Sequence, residues 1–148
     1  MTRLQGFFGK HRRIALDSSI FIYFLEKNAT YLEMAEEVFK WLEGAENSAV
    51  TSTLTMAEVL VYPYRLSNQK QVDQYFSLLS QFPNLEWAAP GLRIADVAAR
   101  IRAIHRLRTP DALQVGTAIE RGASAFLTND LELSRVSEIE IVLLDHLR

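Results

Sequence analysis

Short apolar runs alternate along this chain with longer stretches in which apolar residues return every three or four positions, a pattern that predicts strands feeding helices. Arg13 to Leu16 reads as a short buried strand, and Ser18 and Ser19 then offer capping hydroxyls to a helix over the very apolar Ile20 to Leu25. Leu32, Ala35, Val38, Phe39 and Leu42 repeat at helical spacing, and Gly44 ends that helix. Ala49 to Thr51 predicts a second strand. Ser52 begins the next helix, which carries Thr55 and Glu58 on neighbouring turns of one face. Val72, Tyr75, Phe76 and Leu79 mark a further amphipathic helix, which Pro83 and Asn84 break before the strand-like Leu85 to Ala88. Ile94, Val97, Ile101 and Ile104 mark another helix. Thr109, Pro110 and Asp111 then read as a helix start, with Thr109 as the cap and Asp111 near the positive end of the dipole. Gly122 closes that helix, and Ser124 to Leu127 and Glu140 to Leu144 supply two last strands. The alternation predicts an α/β fold, a parallel sheet flanked by helices, in one domain over residues 1–148.

Asp17, Glu58, Asp111 and Asp130 each fall where a strand or loop passes into a helix. A parallel sheet gathers the carboxyl ends of its strands on one edge, so side chains far apart in sequence converge there. Four carboxylates on one edge suit a hard divalent ion, Mg²⁺ or Mn²⁺, which prefers carboxylate and water oxygens. Two such ions about 3.5–4 Å apart stabilise the attacking and leaving oxygens of a phosphodiester displacement. Singly, each aspartate is also explained as a helix-start residue that satisfies free N–H groups. Glu58, flanked by Ala57, Val59 and Leu60, reads instead as a buried glutamate in need of a partner. Glu132, two positions beyond Asp130, competes with it for the fourth ligand position.

Composition narrows the chemistry. With no cysteine, thiolate metal sites, disulfides and cysteine nucleophiles are excluded. Hydrophobic residues at 49% and charged ones at 23% are ordinary globular usage. The opening MTRLQGFFGKHRR has no secretion-signal run, and no stretch approaches the ~20 apolar residues that span a bilayer, so the sequence reads as soluble and cytoplasmic. The formal charge of −2 gives no global attraction to nucleic acid, but basic residues cluster before the first strand and again before Thr109. Of these, Lys10, Arg12, Arg13, Arg106 and Arg108 are the candidates for phosphate contacts beside the acids. His11, His105 and His146 share no metal-ligand spacing and read as surface or interface residues.

The segments IALDSSIFIYFLE around Asp17, TSTLTMAEVL around Glu58, LRTPDALQVGTAIERG around Asp111 and AFLTND ending at Asp130 together resemble the PIN domains, most closely the VapC-type ribonuclease toxins. The resemblance covers nearly the whole chain. It implies a Rossmann-like three-layer α/β/α sandwich with a central parallel sheet of about five strands. It also implies a Mg²⁺- or Mn²⁺-dependent endoribonuclease whose metal-site residues are Asp17, Glu58, Asp111 and Asp130, with Ser18 and Thr128 orienting the carboxylates. Products with 3′-hydroxyl and 5′-phosphate ends are implied with it. So are a cognate antitoxin whose tail occupies the active-site groove, and a homodimer. Gln114 and Gly116 depart from the His and Ala that relatives often carry after PDAL. The alternative is a PIN-like domain that binds RNA or protein without cutting. A phosphoacceptor receiver domain is disfavoured by the absence of an early acidic pair and of any lysine after Lys70, and an aspartyl phosphatase by Ser19.

Overall fold

Each strand in the computed structural model, which describes residues 1–148, is four or five residues long and runs parallel to its neighbours. The strands are β1 (Arg13–Leu16), β2 (Ser48–Ser52), β3 (Leu85–Ala88), β4 (Ala125–Thr128) and β5 (Glu140–Leu143). Their order is β3-β2-β1-β4-β5, and Ala15 of β1 faces Val50 on one side and Phe126 on the other. The chain therefore builds outward from β1 in one direction, then returns to build in the other. That reversal leaves a topological switch point between β1 and β4, the place where open α/β sheets bind ligands.

Alternate strand residues feed opposite faces of the sheet, as a two-residue period requires. Ile14, Leu16, Ala49, Ala125 and Leu127 join a core shared with α1 (Arg3–Lys10), α2 (Ser18–Leu25), α3 (Leu32–Leu42), α4 (Thr53–Val59) and α6 (Gln69–Ser80). Ala15, Val50 and Phe126 join the core on the other face, made with α7 (Leu92–His105) and α8 (Thr109–Glu120). The result is the expected three-layer sandwich. Gly116 lets α7 and α8 close on each other: a β-carbon there would stand 3.0 Å from the Ile94 carbonyl oxygen and 3.2 Å from the Ala98 nitrogen. At the far end of α8, Gly122 takes a left-handed φ of 74°, as a helix-closing glycine should.

Local differences from the sequence reading have identifiable causes. Helix α1 was not anticipated, although Thr2 and Gln5 form a reciprocal capping box at its start. Helix α2 is capped by the Asp17 carboxylate, which accepts from the Ser18 N–H, and not by a serine hydroxyl. Thr109 lies inside α8, and Arg108 occupies the cap position without a side-chain bond. The helix after β2 breaks at Leu60, and α5 (Val61–Arg65) follows it. Phe76 and Ile104, expected on buried faces, are 51% and 62% exposed. His11 is buried, its Nδ1 2.7 Å from the Ser124 hydroxyl. No helix is long and apolar enough to cross a membrane.

Candidate metal centre

The switch point is lined by the residues that end β1 and β4. The Asp17 N–H donates to the Leu127 carbonyl oxygen at 3.1 Å, which holds the end of β1 against β4. The Asp17 side chain then turns into the crevice. There Oδ1 accepts from the Ser18 N–H at 2.7 Å and Oδ2 from the Thr128 hydroxyl at 2.5 Å. The Ser18 hydroxyl lies 3.3 Å from Asp17 Oδ1 but donates more closely to Glu58 Oε2, at 2.7 Å. One serine thus links the carboxylates carried by β1 and α4.

On the other side of the crevice, Asp111 in the first turn of α8, Asp130 after β4 and Glu132 each offer an oxygen, all within 4.8 Å of one another. Asp130 holds its turn in place by accepting from the Glu132 N–H at 3.0 Å. The two acidic groups are joined through Thr128, whose oxygen accepts the Asp130 N–H at 3.0 Å while its proton goes to Asp17. Thr128 has no exposed surface, and its hydroxyl is fully committed.

The electrostatics follow from this packing. Burial pushes the Asp17 carboxyl above its ordinary range; hydrogen bonds from Thr128 and the Ser18 N–H oppose the rise, and the nearby Glu58 charge adds to it. Like charges that crowd one edge in this way are relieved by a cation. The donor set is carboxylate oxygen throughout, which fits Mg²⁺ or Mn²⁺ and not a thiophilic ion. The surface groove lined by Phe8 and Trp41 among others contains none of the acids. The site is therefore marked by its chemistry more than by its depth.

All four predicted acids lie along this edge, but they divide into Asp17 with Glu58 and Asp111 with Asp130, and Glu132 joins the second group. Glu58 is exposed, as is Ala57, so its role does not follow from burial as the sequence suggested. Ser18 and Thr128 make the carboxylate contacts expected of them. Asn129 was overlooked: its Nδ2 donates to the Tyr23 hydroxyl at 3.1 Å and its Oδ1 accepts the Asp145 N–H at 2.9 Å, which pins the loop that presents Asp130. Its place between Thr128 and Asp130, in a turn rich in side-chain hydrogen bonding, was the available signal.

The basic candidates separate. Arg108 Nε is 3.3 Å from Asp111 Oδ2, and Arg106 closes α7 in a left-handed conformation two residues earlier. Lys10, Arg12 and Arg13 lie at the opposite edge, because residues that precede a parallel strand sit at its amino end. Four residues of strand carry the chain about 13 Å from Arg13 to Asp17. Arg13 is also occupied, donating to Glu86, to the Ser48 hydroxyl and to the Arg121 carbonyl. The expectation that this cluster borders the acids is corrected accordingly.

Residues 14–139 match the family model described as PIN domain. No curated protein matches the chain. Among solved structures it is similar to a chain of DNA-bound VapBC from Salmonella typhimurium, with a TM-score of 0.65 and 22% identity over 89% of this chain and 98% of that one. It is similar also to a chain of VapBC2 from Rickettsia felis bound to a promoter DNA fragment, with a TM-score of 0.62 and 20% identity over 88% of this chain and 98% of that one. VapC20 of Mycobacterium tuberculosis, a Sarcin-Ricin loop cleaving toxin, gives a TM-score of 0.64 at 11% identity over 86% and 98%. At these identities the structural likenesses establish the shared fold. The family match runs through the strands and turns that carry all five acids, and on it the protein belongs to the PIN domain family.

Proposed function

We propose that this protein is a metal-dependent endoribonuclease, the toxin of a type II toxin-antitoxin pair. The observation that carries the reading is the meeting of Asp17, Glu58, Asp111 and Asp130 along the carboxyl edge of the sheet, at its switch point, with Glu132 beside them. Membership in the PIN family and a fold shared with toxins of VapBC pairs support it. VapC20, to which the fold is similar, cleaves the Sarcin-Ricin loop, and this makes structured RNA the substrate to try first.

Asp17, Glu58, Asp111, Asp130 and Glu132 would hold the Mg²⁺ or Mn²⁺. When bound, the metal supplies Lewis-acid activation of water and of the phosphodiester. The chain's own contribution is to aim the acids: Ser18 donates to Glu58 and Thr128 to Asp17, and the Thr128 bond favours the charged form of Asp17. Arg108, whose side chain is 77% exposed beside Asp111, is placed to meet an RNA phosphate approaching the acids, and Arg106 is two residues away. Cleavage leaves 3′-hydroxyl and 5′-phosphate ends; 2′,3′-cyclic phosphate products would refute this route. Free toxin acts in the cytoplasm as a homodimer, and a cognate antitoxin covers the acidic crevice.

The test is cleavage of end-labelled structured RNAs by antitoxin-free protein with Mg²⁺, Mn²⁺ or chelator, beside a folded Asp17→Asn variant. Metal-dependent cutting that the variant loses is the expected result. RNA binding with no cutting under any metal would instead make the protein a non-catalytic PIN-like binding domain.

A further inference from the structure

Beneath the acids lies a buried polar array that metal binding does not use. Gln114 Nε2 donates to Thr55 Oγ1 at 3.1 Å, the Thr55 and Thr51 hydroxyls are 2.7 Å apart, and Thr51 Oγ1 donates to the Leu16 carbonyl at 2.9 Å. An amide nitrogen only donates and a carbonyl only accepts. The chain therefore has one direction: Gln114 to Thr55 to Thr51 to Leu16. Its three side chains are almost without exposure, Thr51 at 2%, Thr55 at 0% and Gln114 at 4%. Valine and leucine would fill the same space without the cost of burying polar atoms, which a core bears only when every partner is in place.

What the array connects explains its presence. Leu16 immediately precedes Asp17; Thr55 stands three residues before Glu58 on α4, and Gln114 three residues after Asp111 on α8. On a helix that spacing puts each pair on adjoining turns of one face. One file of hydrogen bonds therefore fastens together the three elements that carry Asp17, Glu58 and Asp111, with β2 as the intermediate link through Thr51.

We infer that Gln114, Thr55 and Thr51 form a positioning brace that fixes the mutual placement of the three acids for metal binding. The inference rests on the nuclease reading and names residues that act through others. They touch one another and the backbone, never the reacting atoms. Groups that orient metal ligands from behind typically change metal affinity or activity 10- to 100-fold when removed.

The experiment is Mn²⁺ titration of the full chain, followed by the paramagnetic resonance of free Mn²⁺, for wild type, Thr55→Val, Thr55→Ser, Gln114→Leu and the Thr55→Val/Gln114→Leu double variant. Thermal melts and the kcat and KM of RNA cleavage accompany it. Thr55→Val and Gln114→Leu should each weaken Mn²⁺ binding about 10-fold and lower kcat while KM for RNA holds, and Thr55→Ser should restore both. The double variant should be no worse than the weaker single, because a file cut once is already cut; independent packing defects would add. Unchanged Mn²⁺ affinity in folded variants, additive losses, or failure of Thr55→Ser to restore binding would overturn the brace. Should Thr55→Val not fold, Thr51→Val with Gln114→Leu makes the same comparison. A wild-type protein that binds no Mn²⁺ overturns the nuclease reading itself, a result separable from loss in the variants alone.

Discussion

The Thr128 hydroxyl donates to Asp17 Oδ2 at 2.5 Å, joining the ends of the two strands that flank the switch point of the sheet. This bond favours the ionised carboxylate and works against the burial that pushes the Asp17 carboxyl up. Thr128→Val keeps the shape and removes the donor, so Asp17 should become harder to ionise. The acid limb of the pH profile for cleavage, or for Mn²⁺ binding, should then move to higher pH. Thr128→Ser should hold the wild-type limb. A limb that stays in place in a folded Thr128→Val protein would show that Asp17 does not govern it.

A raised carboxyl pKa also has a consequence for stability. The folded protein binds the Asp17 proton more tightly than the unfolded chain, whose reference value is 3.8. Its contribution is therefore fully present below that value and is lost as pH rises through the elevated folded pKa. At pH 7 in chelator, Asp17→Asn should melt higher than wild type, by about 2–4 °C for each kcal/mol recovered, and the gap should close on acidification. Added Mn²⁺ should raise the wild-type melting temperature and leave that of Asp17→Asn nearly unmoved. A variant that melts lower at neutral pH would contradict the sign.

These two residues illustrate what the chain discloses before it is folded. Asp17 and Thr128 end short apolar runs, and in a parallel sheet the residues that end strands share an edge, so their convergence was legible. Which runs are neighbours was not: β1 pairs with β4 across more than a hundred residues, a register no local pattern records. The exposure of Glu58 was hidden for a similar reason, since apolar neighbours in sequence need not be neighbours in space. The position of Lys10 to Arg13 follows from chain direction alone. A cluster that precedes a parallel strand lies at its amino end, away from acids at the carboxyl end. The Gln114 to Leu16 file stayed invisible because its members are ordinary core-sized residues on three separate elements and a strand end.

The separation of basic groups predicts opposite phenotypes. Arg108 is exposed and pairs with Asp111 at the acidic edge, where a surface ion pair is worth at most ~1 kcal/mol. Arg108→Gln should therefore spare the melting temperature and reduce the salt slope of RNA binding by about one. Arg13→Gln cuts three hydrogen bonds that tie the amino end of β1 to β2, to β3 and to the end of α8. It should cost roughly 1–2 kcal/mol of stability and leave the salt slope alone. Salt titrations of RNA binding with both proteins, beside urea unfolding, distinguish this from a diffuse basic surface, for which both slopes would fall.

Gly116 sets the spacing of the two helices behind the site. Its missing β-carbon would stand 3.0 Å from the Ile94 carbonyl oxygen, tighter than most packed β-carbons come, and the two nearest atoms are backbone and so cannot swing aside as a flexible side chain would. Gly116→Ala gains a few tenths to about 1 kcal/mol from helix propensity, yet overpacking at such a contact costs about 1–3 kcal/mol. The second effect should win, and the variant should unfold at lower urea with an unchanged m-value. Relief must come through a shift of one helix away from the other, and α8 carries both Asp111 and Gln114. If α8 holds its place, Mn²⁺ affinity survives while stability falls. If α8 moves instead, both fall together, and comparing urea midpoints with Mn²⁺ affinity identifies which helix gives way.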